Sequence, residues 1–177
     1  MIRRAAEIFV KLFSRPATSA CAPGYRANHD THVAWSESGI QVAQKGSGAP
    51  LPPHVDDCGI LNLWRTIDFE PAQRELSLEK YVQLAEQCFA RRVPAVVSVH
   101  SINFHSSLKN FRGPTLQALD NFLSILESKY PNLLYVNDAD LYAIVSRGKF
   151  RTSQGTVSVA VKQDGGKSFY AAAGQDR

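Results

Sequence analysis

Cysteine is scarce in this sequence, at three of 177 residues, and long apolar runs are missing altogether. Cys21, Cys58 and Cys88 are odd in number, widely separated and in no CxxC arrangement. Neither a disulfide framework nor a zinc ribbon is encoded, and buried small hydrophobes are the expected role for all three. No apolar stretch approaches the roughly 20 residues that cross a bilayer, so no membrane span is expected. A clustered positive charge is also lacking. Twenty Lys and Arg against sixteen Asp and Glu give +4 and a pI near 9.1, but only Arg3-Arg4 and Arg91-Arg92 are adjacent. That dispersal favours solubility over nucleic-acid binding, which needs a basic stripe. There is no GxSxG, no Walker loop and no GxGxxG after a strand, so serine hydrolases, P-loop nucleotidases and dinucleotide enzymes lack their motifs here.

What is present is a soluble globular composition: 44% hydrophobic, 10% aromatic and 20% charged residues. A chain of this length buries roughly 70% of the surface it exposes when unfolded, enough to fold without disulfides or a structural metal. The N-terminus has the outline of a signal peptide, from Arg3-Arg4 to Ala20-Cys21-Ala22, but Glu7 and Lys11 interrupt its apolar core. Ala6, Phe9, Val10 and Phe13 fall instead at helical spacing, predicting an amphipathic helix over Ile2 to Ser14. Glu7 argues against an organelle presequence as well, and the compartment is not encoded legibly.

Along the chain, strand-like and helix-like segments alternate. Thr18 to Ala22 reads as a strand, Thr31 to Ser38 as a short helix stopped by Gly39, Ile40 to Ala43 as a strand and Gly46 to Pro53 as a long surface loop. Gly59 to Ile67 is strand-like and closed by Phe69-Glu70-Pro71. Leu76 to Arg92 carries an apolar helical stripe capped by Ser77. Pro94 to His100 is a nearly continuous apolar run, the signature of a strand covered on both faces. Pro114 opens a helix to about Lys129, Leu133 to Val136 reads as a strand, and Asp138 caps a helix to Ser146. Thr156 to Val161, the turn Asp164-Gly165-Gly166 and Ser168 to Ala172 predict a β-hairpin, with a disordered tail from Gly174. The fold class expected is α/β, a partial (β/α) barrel or open parallel sheet with flanking helices over residues 1–150, and a hairpin appendage over 151–177.

Catalysts in such folds gather at the carboxyl ends of strands. Three polar clusters occupy that position: Tyr25-Arg26 with Asn28 to His32, His100 to His105, and Asn137-Asp138. His100 ranks first, since a histidine ending an apolar strand has a desolvated body, an open tip and a near-neutral pKa suited to proton transfer. Arg26 offers a planar fork for an anionic oxygen. His29, Asp30 and His32 could supply two imidazoles and a carboxylate to zinc, as could His54 with Asp56 and Asp57, although solvated side chains are the commoner outcome of such spellings. Trp64, Tyr25, Phe104 and Trp35 are candidate sugar-stacking surfaces, against the commoner fate of burial.

Ala22-Pro23-Gly24-Tyr25-Arg26 followed by Gly39-Ile40, together with Val96-Val97-Ser98-Val99-His100 before a loop and a Leu-rich helix, resembles the polysaccharide deacetylases and deacetylase-like proteins. The resemblance spans about Ala6 to Ser146. It implies a distorted β/α barrel that removes acetyl groups from carbohydrate with a divalent metal, usually zinc. By position His100 takes the acid role and Arg26 matches the arginine that orients the base. Asn103 is read beside them as a substrate- or base-orienting group, and Tyr25 and Trp64 as substrate-facing aromatics. The family's early aspartate pair and metal-binding histidines precede the arginine motif. Here only one helix does, and His29-Asp30-Thr31-His32 comes after it, so that role is not transferred. A closed barrel takes about 250 residues. The expectation is therefore the C-terminal part of such a barrel, with metal binding lost or incomplete and uncovered edges that self-associate or meet a missing N-terminal segment. Two alternatives stand beside it: a non-catalytic carbohydrate-binding or assembly module, and a small complete hydrolase built on His29, Asp30, His32 and His100.

Overall fold

The computed structural model describes residues 1–73, 77–105, 109–152, 155–163 and 167–173, those from 149 onward by their backbone alone. The Leu76 helix start, the Asp164-Gly165-Gly166 turn and the tail from Gly174 lie outside these residues. The described chain is mixed α/β, with five α-helices, and divides into two compact units. One comprises Met1–Gly46, Leu51–Trp64 and Val136–Arg177; the other comprises Ser47–Pro50 and Arg65–Tyr135.

The first unit is built on a four-stranded sheet in the order β1-β2-β4-β3. Strands β1 (Ser19–Cys21), β2 (Val42–Lys45) and β4 (Leu61–Trp64) run parallel, and β3 (His54–Val55) pairs antiparallel with β4. Helix α1 (Ile2–Phe13) precedes β1. Helix α2 (His29–Glu37) lies between β1 and β2 and starts two residues before its expected position, because Asn28 is its N-cap. The Asn28 carboxamide oxygen accepts from the Thr31 amide at 2.9 Å and the Thr31 hydroxyl at 2.7 Å. Val42, Ala43, Ile60 and Leu61 are almost completely buried, and Ala22, Trp35, Ile40, Ala43 and Ile60 form one apolar cluster. Helix α5 (Asp138–Arg147) belongs to this unit. Asn137, not the expected Asp138, is its cap: Asn137 and Asp140 exchange side-chain and backbone bonds in a reciprocal box. The C-terminal sheet has three antiparallel strands where two were expected, β7 (Lys149–Thr152), β8 (Gly155–Gln163) and β9 (Lys167–Ala173).

In the second unit, β5 (Ile67–Asp68) pairs parallel with β6 (Val97–Ser98), flanked by α3 (Leu78–Ala90) and α4 (Arg112–Lys129). Ser77 caps α3 through the Lys80 amide, and Pro114 sits in the first turn of α4. Ile67, Phe69, Tyr81, Val82, Ala85, Phe122 and Leu126 make its core. Phe69 and Tyr81 have ring centroids 4.7 Å apart, and Phe122 lies 5.7 Å from Phe69.

The strands of the described residues fall into three separate sheets, one of them partly parallel, with no closed barrel among them. Several expectations are corrected. The apolar run 94–100 is not a strand covered on both faces: only Val97 and Ser98 are strand, and Val97 and Val99 are 41% and 39% exposed. Among the described residues β6 has no second neighbour in its two-stranded sheet, and burial goes to Val93 and to the half-buried Ala95. The stretch 133–136 is not a strand either; Tyr135 and Val136 are exposed, and Leu133 packs on the core. The expected strand from Gly59 to Ile67 breaks after Trp64 into β4 and β5. Of the cysteines only Cys88 is buried; Cys58 is half-buried and Cys21 exposed.

Candidate functional site

Each unit brings together one polar constellation. In the second unit the short parallel ladder pairs Ile67 with Val97 and Asp68 with Ser98, and the Phe69 amide continues it by donating to the Ser98 carbonyl at 2.8 Å. Extending that register by two residues puts Glu70 beside His100. The Glu70 carboxylate, 3% exposed as a residue, accepts from His100 Nδ1 at 2.5 Å and from the His100 amide at 3.2 Å on one oxygen. Its other oxygen accepts from Asn103 Nδ2 at 2.5 Å. Asn103 is completely buried, and its amide group is committed within the unit: Nδ2 also reaches the His100 carbonyl at 3.0 Å, and Oδ1 accepts from the Ala72 amide at 2.9 Å. A buried carboxylate is tolerable only when it is hydrogen-bonded, which these three donors provide. The His100 side chain remains 64% exposed. One ring nitrogen is thus fixed by a buried anion while the rest of the ring meets solvent. That is the arrangement that orients an imidazole for proton transfer at Nε2.

In the first unit, Asp56 is the hub. It sits in the turn between β3 and β4, where one oxygen accepts from the amides of Cys58 and Ile60, each at 3.0 Å. The other accepts from Asn62 Nδ2 at 2.9 Å and from His32 Nδ1 at 2.6 Å. His32 is buried on α2, and Lys45 Nζ lies 3.0 Å from its Nε2. An ammonium group only donates, so Nε2 carries the lone pair and Nδ1 the proton. Both ring nitrogens of His32 are therefore engaged. Burial pushes the Asp56 carboxyl up, but the bonds from Asn62, His32 and the Ile60 amide outweigh it and hold the pKa below its ordinary value. A lowered folded-state pKa contributes stability above the unfolded carboxylate range, and that contribution is lost as pH falls through the folded value. Asp56→Asn is expected to flatten the acid limb of an unfolding-midpoint-versus-pH curve below about pH 4, where the parent curve falls.

His29, one turn before His32 on α2, lies not with Asp30 and His32 but beside Asp57 and Cys58. Asp30 is exposed in the first turn of α2. The expected trio of His29, Asp30 and His32 does not come together as a ligand set, since His32 is taken by Asp56 and Lys45. The Cys58 thiol is pushed up by partial burial and then by the carboxylates of Asp57 and Asp56. His54 does not join Asp56 and Asp57; it is exposed, with its ring 5.3 Å from that of Trp64. Trp64 is half-buried at the end of β4, and Trp35 is a core residue.

Tyr25 and Arg26 are exposed in the turn after β1. Gly24 and Tyr25 both have φ of +59°, a conformation that Gly24 adopts without strain and Tyr25 does not. The Tyr25 ring lies over Gly46, where an added Cβ would approach ring carbons to 3.3 Å. Asn137 is spent on capping α5, and Asp138 accepts from Gln44 Nε2 at 2.8 Å on both oxygens.

Sequence reasoning singled out His100 and missed Glu70 and Asp56 as the carboxylates that hold the two histidines. The signal for Glu70 was an acid directly after an apolar segment, at the carboxyl end of a strand parallel to the one ending in His100. No helix of the described residues is long and apolar enough to cross a membrane. No family model matches the chain, and no curated protein or solved structure matches it.

Proposed function

We propose that this chain is a hydrolase of the carbohydrate-deacetylase type, with His100 as its proton-transfer residue and Glu70 and Asn103 as the residues that position it. The observation carrying this reading is the Glu70–His100 pair, a buried carboxylate on Nδ1 of an exposed imidazole. In hydrolysis of an acetamido group, water adds to the carbonyl carbon and loses a proton to solvent, the imidazolium gives its Nε2 proton to the departing nitrogen as the C–N bond breaks, and solvent reprotonates the imidazole. Acetate and a free amine result. The Glu70 carboxylate on Nδ1 fixes which ring nitrogen faces the substrate. Arg26 enters on the family resemblance, as the arginine that orients a base, and Tyr25 and Trp64 enter as aromatics able to stack on sugar. On the same resemblance, the parallel strands β1, β2 and β4 are read as part of a β/α barrel, and the open edges of the sheet as sites of self-association. The zinc that the family uses is not supplied by His29, Asp30 and His32, for the reason given above, and no step is derived through it.

The test is acetate release from an acetylated chitooligosaccharide by the full chain, with zinc or cobalt added, compared with His100→Ala. Turnover that falls in the variant supports the reading; equal, nonzero rates remove His100 from the reaction. A non-catalytic saccharide-binding module is the second reading, favoured by the commitment of His32 to Asp56 and Lys45. Saccharide binding without acetate release would select it.

A further inference from the structure

We propose that His29, Asp57 and Cys58 form a binding site for a zinc-type divalent cation. The proposal does not rest on the hydrolase reading and concerns different residues. Three separate distances among the same three atoms carry it. His29 Nδ1 lies 3.8 Å from Asp57 Oδ1, Cys58 Sγ lies 3.7 Å from His29 Nδ1, and Cys58 Sγ lies 3.7 Å from Asp57 Oδ1. The three donor atoms make a nearly equilateral triangle. Zinc bonds of about 2.0–2.1 Å to nitrogen, 2.0–2.2 Å to oxygen and 2.3 Å to sulfur, set at the tetrahedral angle, require donors roughly 3.4–3.6 Å apart. The triangle needs to contract by only a few tenths of an ångström to become one face of such a tetrahedron.

The chemistry of the donor set agrees with the geometry. A neutral imidazole, a carboxylate and a thiolate bring two negative charges, which a divalent cation neutralises. Imidazole with thiolate favours zinc over magnesium or calcium, which take oxygen. Three protein ligands leave a fourth position, and with His29 and Asp57 exposed and Cys58 half-exposed that position is accessible.

The site is also held together before any ion arrives. His29 belongs to α2, whose start is fixed by Asn28, while Asp57 and Cys58 belong to the β3–β4 turn. Asp56 closes that turn through the Cys58 and Ile60 amides and, through its other oxygen, bonds to His32 one helical turn from His29. The His32–Asp56 bond therefore clamps the two ligand-bearing segments together. Such supporting contacts govern metal affinity by about 10–100-fold.

The experiment is titration of the reduced full-length chain with cobalt(II). Binding should produce visible ligand-field bands typical of four-coordinate cobalt and a near-ultraviolet thiolate-to-cobalt band, with about one proton released per ion as the thiol ionises. Cys58→Ser should abolish the near-ultraviolet band and Cys21→Ser should leave it unchanged. Zinc should displace the cobalt. A second measurement needs no variant: zinc should slow alkylation of Cys58 in the parent chain while leaving Cys21 as reactive as before. Cobalt bands that persist in folded Cys58→Ser, the absence of bands in the parent, or alkylation of Cys58 indifferent to zinc would each overturn the proposal.

Discussion

Phe122→Ala is expected to lower the stability of the second unit by about 3–5 kcal/mol, the range for removing a fully buried aromatic from a core that cannot collapse around the gap. Phe122 is completely buried, and its ring meets both Phe69 and Tyr81, which are themselves buried. Truncation removes two aromatic contacts along with the buried area, and the neighbours that would have to relax are held from elsewhere. Tyr81 is tied down at its hydroxyl, which accepts from the Glu70 amide at 3.2 Å. The measurement is the midpoint of chemical unfolding, with Leu116→Ala on the same helix as reference. Leu116 is 46% exposed, and its loss should stay within about 0.5 kcal/mol. Equal midpoints for the two variants would show that the aromatic cluster does not hold this unit together.

Under the proposed hydrolase reading, His100→Ala is expected to reduce turnover by about 10²–10⁴-fold, the contribution of a well-placed general acid or base. The His100 side chain is largely exposed, so the fold should survive its removal, but the buried Glu70 carboxylate loses its Nδ1 donor, and the unfolding midpoint should fall by the equivalent of about 1–3 kcal/mol. Glu70→Gln separates positioning from proton transfer. The carboxylate accepts from the His100 amide and Nδ1 on one oxygen and from Asn103 on the other. An amide group must turn its NH2 toward one of these donors. If it faces His100, the ring is driven to the tautomer with its proton on Nε2; if it faces Asn103, two donors confront each other in a buried site. Either outcome costs about 1–3 kcal/mol of stability and should displace the pH profile of any remaining turnover. A Glu70→Gln variant with the parent's profile would assign the carboxylate to structure alone.

Much of the helical framework was legible from the sequence because helices announce their ends. Ser77 and Pro114 marked α3 and α4, and Gly39, with φ of +81°, lies just past α2. The error at α2 came from Asn28, a cap hidden in a polar run where every neighbour could also have served. The short strands were harder to read. Val96 to Val99 is apolar enough for a covered strand, yet its fate depends on what pairs with it, and a run of valines does not specify a partner. For the same reason His100 could be picked out and Glu70 could not. The histidine is visible as the end of a local pattern, whereas its carboxylate lies thirty residues earlier and is brought close only by the register between β5 and β6. Asp56 stands close to His54 in the sequence, but the structure uses it for a different histidine, on a helix two strands earlier.

The brevity of the β5–β6 pairing has a consequence for how the Glu70–His100 alignment is lost. On the β5 side Ile67 and Phe69 are completely buried, but on the β6 side Val97 and Val99 are open to water, so β6 contributes little buried apolar surface to this two-rung ladder. Fraying of this short seam is thus a lower-energy event than melting of the helices behind it. Warming should uncouple the imidazole from its carboxylate while most of the unit still holds its shape.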